Sequence, residues 1–249
     1  MRTKLLIILT LTFFALFSSC KKAPLTVGKT VIESRRLPDF TEVYLNDDIS
    51  MSLVRSDTCY IVIKTGENII DNITTDVKNG ILTINNTTTL SWIRPYDYEL
   101  SVTLYYKDIS NFIFSSSRNL TTQNQYNDPD NSNNYRFEIS GGSGDVDLFL
   151  NDCKNFIVLY HSGTSRLNLH GSNHYIQIDK HSYGILDASQ LQSKRVDIHN
   201  RSVADCYIWA TEVINAKISR HGNIYYKGTP SEINCTYGEY AEGKLIPFN

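Results

Sequence analysis

Five copies of a short turn phrase recur between Ser140 and Gly228 and constrain the fold more than any other feature of this chain. Each copy has small or polar residues followed by a short strand of alternating apolar and polar residues, and another alternating strand precedes it. A period in this range predicts a solenoid, in which each coil buries its apolar edge by stacking on the next. The copies begin about 20 residues apart, at Ser140, Tyr160, Lys180, Asn200 and Ser219.

The chain upstream of the repeats carries the same strand signal at less regular spacing. Alternating runs such as Glu42–Leu45 and Leu100–Leu104 are separated by turn clusters, and helical periodicity is almost absent. Asn79-Gly80 predicts a hairpin, because a type I′ turn needs positive φ at both central residues. Residues 67–76 fit a short helical turn or a strand. We therefore predict an all-β chain: a solenoid with coils of about 20 residues and a less regular N-terminal β lobe.

Composition divides the chain into five segments. Residues 1–19 have the pattern of a secretory signal, since Arg2 and Lys4 precede an apolar run too short to span a bilayer comfortably. Residues 20–29 are predicted to be a tether, and 30–120 the N-terminal lobe. Residues 121–134 are predicted to be an extruded polar loop without the apolar residues that offset the entropy of ordering. Residues 135–249 hold the solenoid repeats, with a C-terminal cap over 229–249.

Cys20 directly follows two small residues and the apolar run, which resembles the lipobox of bacterial lipoproteins, where the thiol is acylated. That resemblance implies a lipid anchor that holds the chain on the outer membrane. Ordinary secretion with an incidental cysteine is the alternative. Surface-exported lipoproteins of Bacteroides-like bacteria often carry an acidic stretch after this cysteine. None follows Cys20, so we expect the periplasmic face rather than the cell surface.

Charge and cysteine content narrow the classes of partner. The net charge is −2, and loss of Arg2 and Lys4 with the signal changes it to −4. Basic clusters are limited to Lys21-Lys22 and Lys194-Arg195, so we expect no nucleic acid partner. Four cysteines beyond Cys20 allow three disulfide pairings, but their irregular spacing fits buried free thiols equally well and disfavours a zinc site. They are Cys59, Cys153, Cys206 and Cys235.

Four motifs occur together in this sequence: Phe40–Val54, Gly66–Ile70, Val77–Ile84 and the turn Gly141-Gly-Ser-Gly-Asp145. In combination they resemble the "putative auto-transporter adhesin, head GIN domain" family, from about Thr30 to Gly228. The resemblance implies a right-handed β-helix-like fold and an adhesin-like role among lipoproteins and secreted proteins of Bacteroides-like bacteria. It implies no catalytic residue and no cofactor. The later turns depart from Gly-Ser-Gly-Asp, which leaves a shared turn geometry open.

The repeats place cationic side chains at a fixed interval. His161, His181, Arg201 and His221 lie 20 residues apart, so regular coils would stack them in a column on one edge. The imidazoles of His161, His181 and His221 could bind a transition metal there. A solvated polar ladder is the alternative, since Arg201 interrupts the column and no acid recurs in phase beside it. The glycine-rich turn before Asp145 resembles one calcium repeat, but its glycines also suit a tight corner.

An aromatic loop is the best candidate for ligand contact outside the repeats. Trp92, Tyr96 and Tyr98 surround Arg94-Pro95, and the proline indicates a protruding loop. We expect a non-catalytic envelope lipoprotein, an adhesin-like binding or scaffolding module whose partner is a glycan or an envelope protein. The alternative is a β-helix carbohydrate-active enzyme, a polysaccharide lyase or hydrolase. A glycosidase would need two carboxylates facing each other across a groove.

Overall fold

The computed structural model describes residues 26–88 and 98–248, and it confirms the all-β prediction. About 60% of the chain is strand, and the described helical structure is a single 3-10 turn at Ile70–Asn72. All seventeen described strands belong to one curled sheet. In chain order they are β1 (Thr30–Arg36), β2 (Glu42–Asp47), β3 (Ser50–Arg55), β4 (Tyr60–Gly66), β5 (Ile73–Lys78), β6 (Ile81–Asn86), β7 (Ser101–Tyr106), β8 (Asn111–Ser116), β9 (Leu120–Thr122), β10 (Asn134–Ile139), β11 (Val146–Tyr160), β12 (Leu167–Lys180), β13 (Leu186–Asn200), β14 (Cys206–Ile218), β15 (Ile224–Lys227), β16 (Glu232–Tyr237) and β17 (Leu245–Pro247).

Most strands lie in two parallel rows. Row A contains β6, β2, β8 and β10, then the second halves of β11 to β14, and ends at β16. Row B contains β7, β3 and β9, then the first halves of β11 to β14, and ends at β15 and β17. We call one row A strand and the row B strand that follows it a rung. Tyr160 pairs with Lys180, and Lys180 with Asn200, so the sequence period is the pairing register.

The two rows share one hydrophobic core. Alternate residues of each strand are buried, as in β13, where Val196 and Ile198 point inward and Asp197 and His199 point outward. The buried side chains of both rows form one continuous cluster that runs from Phe40 to Ile224. Full burial of a Val, Leu or Ile side chain is worth about 1.5–3 kcal/mol. Because this alternation has a period of two, the same strand that fills the core also lays out the outer surface.

The N-terminal rungs do not follow chain order. Strand β2 lies between β6 and β8, and β3 lies between β7 and β9, so the first rung of the chain is enclosed by two later ones. Strand β8 pairs with β10, and β9 pairs with β11, across the junction near residue 120. The less regular lobe and the repeats therefore form one continuous sheet.

Antiparallel strands and a helical turn close the N-terminal end of the stack. Strand β4 pairs antiparallel with β7 and β1 with β4, while β5 pairs antiparallel with β6. The hairpin prediction is confirmed, since Asn79 and Gly80 have φ of 53° and 78°. Residues 67–76 contain both predicted alternatives, a 3-10 turn and the start of β5. Ile69 and Ile70 are buried and cover the core at this end.

The segment 121–134 differs from the expected extruded loop, because it is fastened to the core. Tyr126 is fully buried, and its ring lies 6.1 Å from that of Phe156. The amide of Asn124 bonds to both the backbone N–H and the carbonyl of Arg55, at 2.7 and 3.0 Å. Asn127 fastens the other side to the backbone of Asn151 in the same way. The burial of Tyr126 and the side-chain amide hydrogen bonds of Asn124 and Asn127 therefore offset the entropy cost of ordering this polar segment.

The segment 229–249, predicted as a cap, forms the last rung of the described stack. Strand β16 pairs with β14 and β17 pairs with β15, and their outer edges have no further partner among the described strands. The four cysteines of the described chain are free thiols; Cys59, Cys153 and Cys206 are buried and Cys235 is partly exposed. No helix among the described residues is long and apolar enough to cross a bilayer.

Candidate binding surface

A shallow groove of about 600 Å³ crosses the outside of row A over four rungs. It is built by outward-pointing residues of β12, β13, β14 and β16, which the parallel register places side by side. One outward column contains Gln177, Asp197, Asn215 and Asn234, and the next contains Asp179, His199, Lys217 and Thr236. The groove is thus a product of stacking, since four separate strands supply its lining.

Asp197 is the polar centre of the groove. Its carboxylate accepts hydrogen bonds from the Tyr175 hydroxyl at 3.0 Å and from Asn215 Nδ2 at 2.7 Å. The Arg195 guanidinium forms two further bonds to it, at 3.0 and 3.1 Å. Burial by itself would raise the pKa of Asp197, but the hydrogen bonds and the Arg195 charge outweigh it and lower the pKa. The carboxylate therefore stays ionised and fixed in place.

His199 and Lys217 lie in the neighbouring column, where Lys217 supplies the positive charge. His199 Nε2 lies 2.8 Å from Ser219 Oγ. Burial, followed by the charge of Arg201, lowers the pKa of His199 below its usual value. Lys217 is exposed in the same column. Asp179 is paired with Arg201 at 2.9 Å. The acids of the groove are thus held by arginines, and Lys217 remains available to a ligand.

The predicted cationic column borders this groove, and the structure assembles part of it. The rings of His161 and His181 lie 6.3 Å apart, with Arg201 on the next rung. His221 does not belong to the column. Asn200 pairs with Ile218, so Ser219 occupies the position after Arg201 because this rung is two residues shorter. Register shifts in the pairing of β13 with β14, one between Ser193 and Arg195, accompany the shortening.

Acids accompany the column in space, although none recurs in phase with it along the sequence. His161 Nε2 lies 3.5 Å from Glu138, and His181 Nε2 lies 3.4 Å from Asp179. His221 pairs separately with Glu242, at 3.3 Å. Within residues 26–88 and 98–248, no group of three or more His, Cys, Asp or Glu side chains is placed to hold a metal ion. Each of the three histidines therefore has a different carboxylate neighbour.

The aromatic candidates lie elsewhere. Trp92 and Tyr96, like the lipidation residue Cys20, fall outside the described residues. Tyr98 is only 8% exposed. Its hydroxyl accepts a bond from Asn86 Nδ2 at 3.3 Å, and the Arg118 guanidinium lies 5.2 Å from its ring centre. The Tyr98 ring belongs to the wall of the fold and gives little surface for stacking on a ligand.

Behind the column lies a polar ladder inside the core, which sequence reasoning missed. Tyr160, Lys180 and Asn200 are fully buried and occupy successive rungs at one inward position. Lys180 Nζ donates to the Ser182 carbonyl and to Ser202 Oγ, both at 2.9 Å. The Tyr160 hydroxyl donates to the Ser165 carbonyl. The signal was present, because each of these polar residues stands where strand alternation requires an inward side chain.

The glycine-rich turn at the start of the repeats forms a tight corner between two strands. Gly142 has a φ of 83°, and a Cβ there would lie 2.1 Å from the Ser116 carbonyl oxygen. Gly163, one rung on, has a φ of 93°. The interpretation of the glycines before Asp145 as corner residues is confirmed at Gly142. At later turns the buried polar ladder also bonds to the turn backbone.

Comparisons with known proteins agree on the fold. The family profile "Putative auto-transporter adhesin, head GIN domain" matches residues 39–230. A putative adhesin from Bacteroides fragilis is 18% identical with a TM-score of 0.75, covering 90% of this chain and 99% of its own. A putative adhesin from Parabacteroides merdae is 16% identical with a TM-score of 0.58, at 89% and 97% coverage. A "putative lipid binding protein" from Parabacteroides distasonis is 18% identical with a TM-score of 0.59, at 88% and 97% coverage. No curated protein matches the chain in sequence.

Proposed function

This chain belongs to the putative auto-transporter adhesin, head GIN domain family, and from that premise we propose that it is a non-catalytic binding module of the cell envelope whose ligand, a glycan or an envelope protein, lies in the row A groove. The observation that carries the proposal is the Asp197 centre, where four strands present one fixed, hydrogen-bonded polar surface. Surfaces that bind without reaction need such fixed donors and acceptors.

The state of the carboxylates favours binding over hydrolysis in this groove. A glycosidase needs one carboxylic acid with a raised pKa to protonate the leaving group, and a second carboxylate across from it. The pKa of Asp197 is lowered, and Asp179 is ion-paired with Arg201. Both groups are occupied by protein partners, so the pair lacks a proton donor.

The finer architecture is part of the proposal. The parallel rows and the 20-residue register support a β-solenoid, in which successive rungs are coils. A lipid on Cys20 would hold this body at the outer membrane, with the periplasmic face favoured by the sequence after the cysteine. The lipid-binding description of the Parabacteroides distasonis neighbour fits this groove poorly, because Asp197, Arg201 and Lys217 line it with charge.

The test is a binding screen with residues 20–249, against a glycan array and against envelope protein extracts. Lys217→Ala and Asp197→Asn are expected to weaken the captured interaction by about tenfold or more, since each removes a charged contact worth about 1.4 kcal/mol. Lys154→Ala is the matched control, because Lys154 is exposed on β11 and does not line the groove. Equal binding by all three variants would exclude the groove. Reproducible turnover of a polysaccharide would overturn the non-catalytic proposal.

A further inference from the structure

The C-terminal end of the stack is open. On β14 the inward side chains Ile214 and Ile218 are fully buried. Their partners on β16, Ile233 and Tyr237, are 43% and 56% exposed, although they point toward the same core. Cys235 lies between them and is partly exposed. In every earlier rung, another strand covers the inward side chains. The last rung has no such strand among the described residues, so its inward side chains remain partly exposed.

The two ends of the stack differ in how their edges are protected. At the N-terminal end, Ile69 and Ile70 cover the core, and the edge strands β1 and β5 carry charges such as Arg35, Arg36 and Lys78. Charged side chains on edge strands are a common barrier to strand addition. Residues 233–237 of β16 carry none. Their outer backbone groups have no partner among the described strands.

We propose that this open end is a self-association site, at which β16 pairs antiparallel with β16 of a second copy across a twofold axis. The same strand then supplies both sides of the interface, as closed dimers require. With the axis at Cys235, Ile233 of each copy faces Tyr237 of the other, and the exposed core residues bury one another. The uncharged run 233–237 favours a second copy, because the axis at Cys235 places the two Glu232 side chains at opposite ends of the paired strands.

The size of the end predicts a reversible dimer. The end face measures about 20 Å along the six residues of the strand. It measures about 20 Å across the two rows with their side chains, so each copy buries about 400 Å². That is roughly half of what a stable dimer buries, and it places the contact among weak, transient interfaces. The twofold axis brings the two Cys235 residues opposite each other, within the Cα separation of directly paired strands, which a disulfide can bridge.

The experiment is thiol trapping in the full chain carrying Cys20→Ser, where Cys235 is partly exposed and the other described cysteines are buried. Copper phenanthroline with dissolved oxygen takes two electrons and two protons from two thiols and joins them as a disulfide. We expect a disulfide dimer on a non-reducing gel at about 100 μM protein, and its loss with Cys235→Ser. Sedimentation equilibrium from about 5 to 500 μM should show monomer shifting to dimer.

Two substitutions on β16 distinguish the inward side of this edge strand from its outward side. Ile233→Lys places a charge on the inward side and should reduce both the dimer fraction and the trapping rate at least tenfold. Thr236→Lys places the same charge on the outward side, where it stays in solvent, and should reduce both much less than Ile233→Lys does. Both positions are exposed, so folding should persist, and circular dichroism checks it. A monomer at all concentrations, or equal trapping in Ile233→Lys, would overturn the proposal. Dimerisation is measured without ligand, so its failure leaves the groove untouched.

Discussion

Asn200→Ala tests whether the buried polar ladder holds the turns of the stack. Asn200 is fully buried and makes three hydrogen bonds of 3.1 Å: its Oδ1 accepts from the Ser202 N–H, and its Nδ2 donates to the carbonyls of Ala204 and Gly222. The Ala204 carbonyl keeps a longer bond from Lys180 Nζ, at 3.4 Å. The substitution therefore leaves two backbone groups, Ser202 N–H and Gly222 C=O, buried without that partner.

Each orphaned group costs about 1–3 kcal/mol, so we expect a loss of roughly 3–4 kcal/mol in the free energy of unfolding. For a protein of this size that loss lowers Tm by about 6–16 °C. The assay is thermal unfolding followed by circular dichroism, with urea unfolding as the second measurement. Asn234→Ala is the control, because Asn234 is an exposed amide bonded to Asn215 and Glu232, at 3.0 and 2.7 Å. If the two variants differ by less than about 1 kcal/mol, the ladder does not hold the turns.

Three further outcomes follow from the packing. Gly142→Ala should destabilise by at least about 1 kcal/mol more than Gly80→Ala, because both have positive φ but only Gly142 has a backbone oxygen in the way; equal melting temperatures would contradict this. His199→Gln should flatten the pH dependence of Tm between about pH 7.5 and 5.5. Because the pKa of His199 is lowered in the folded state, its contribution to stability is present above about pH 6.5 and is lost as pH falls through the folded pKa. An unchanged slope in the variant would refute this role of His199. Tyr126→Ala should make residues 123–133 the first proteinase K site, seen by mass spectrometry, whereas the wild type resists cleavage there.

The strands were predictable from sequence because their signal is local. An inward and an outward side chain must alternate wherever a strand covers the core, and every repeat shows it. The position of His221 was not predictable, because this local signal does not record the length of a rung. A rung shortened by two residues keeps its alternation, so the sequence pattern looks unbroken while Ser219 takes the place that fixed spacing assigns to His221.

The order of the N-terminal rungs was hidden by a different ambiguity. Strands β2, β6 and β8 all present the same alternation to the core, so the pattern does not state which of them are neighbours. The groove was partly hidden as well. Asp197, Asn215 and Asn234 come from three strands separated by turns, and only the pairing register shows that they form one column. The individual residues were visible, but their adjacency depends on contacts that are distant in sequence.

The polar ladder and the groove are linked through the same strand. Strand β13 points Asp197 and His199 outward and Asn200 inward, and Arg201 follows directly at the corner. Other rungs place Ile139 or Ile218 at the inward position, which costs no polar desolvation. A buried amide at this point fixes the turn that carries Arg201, and Arg201 in turn holds Asp179 of the groove. Asn200→Ala should therefore weaken ligand capture as well as stability, at temperatures where the protein is still folded. Unchanged capture under those conditions would show that the groove is set by the strands alone.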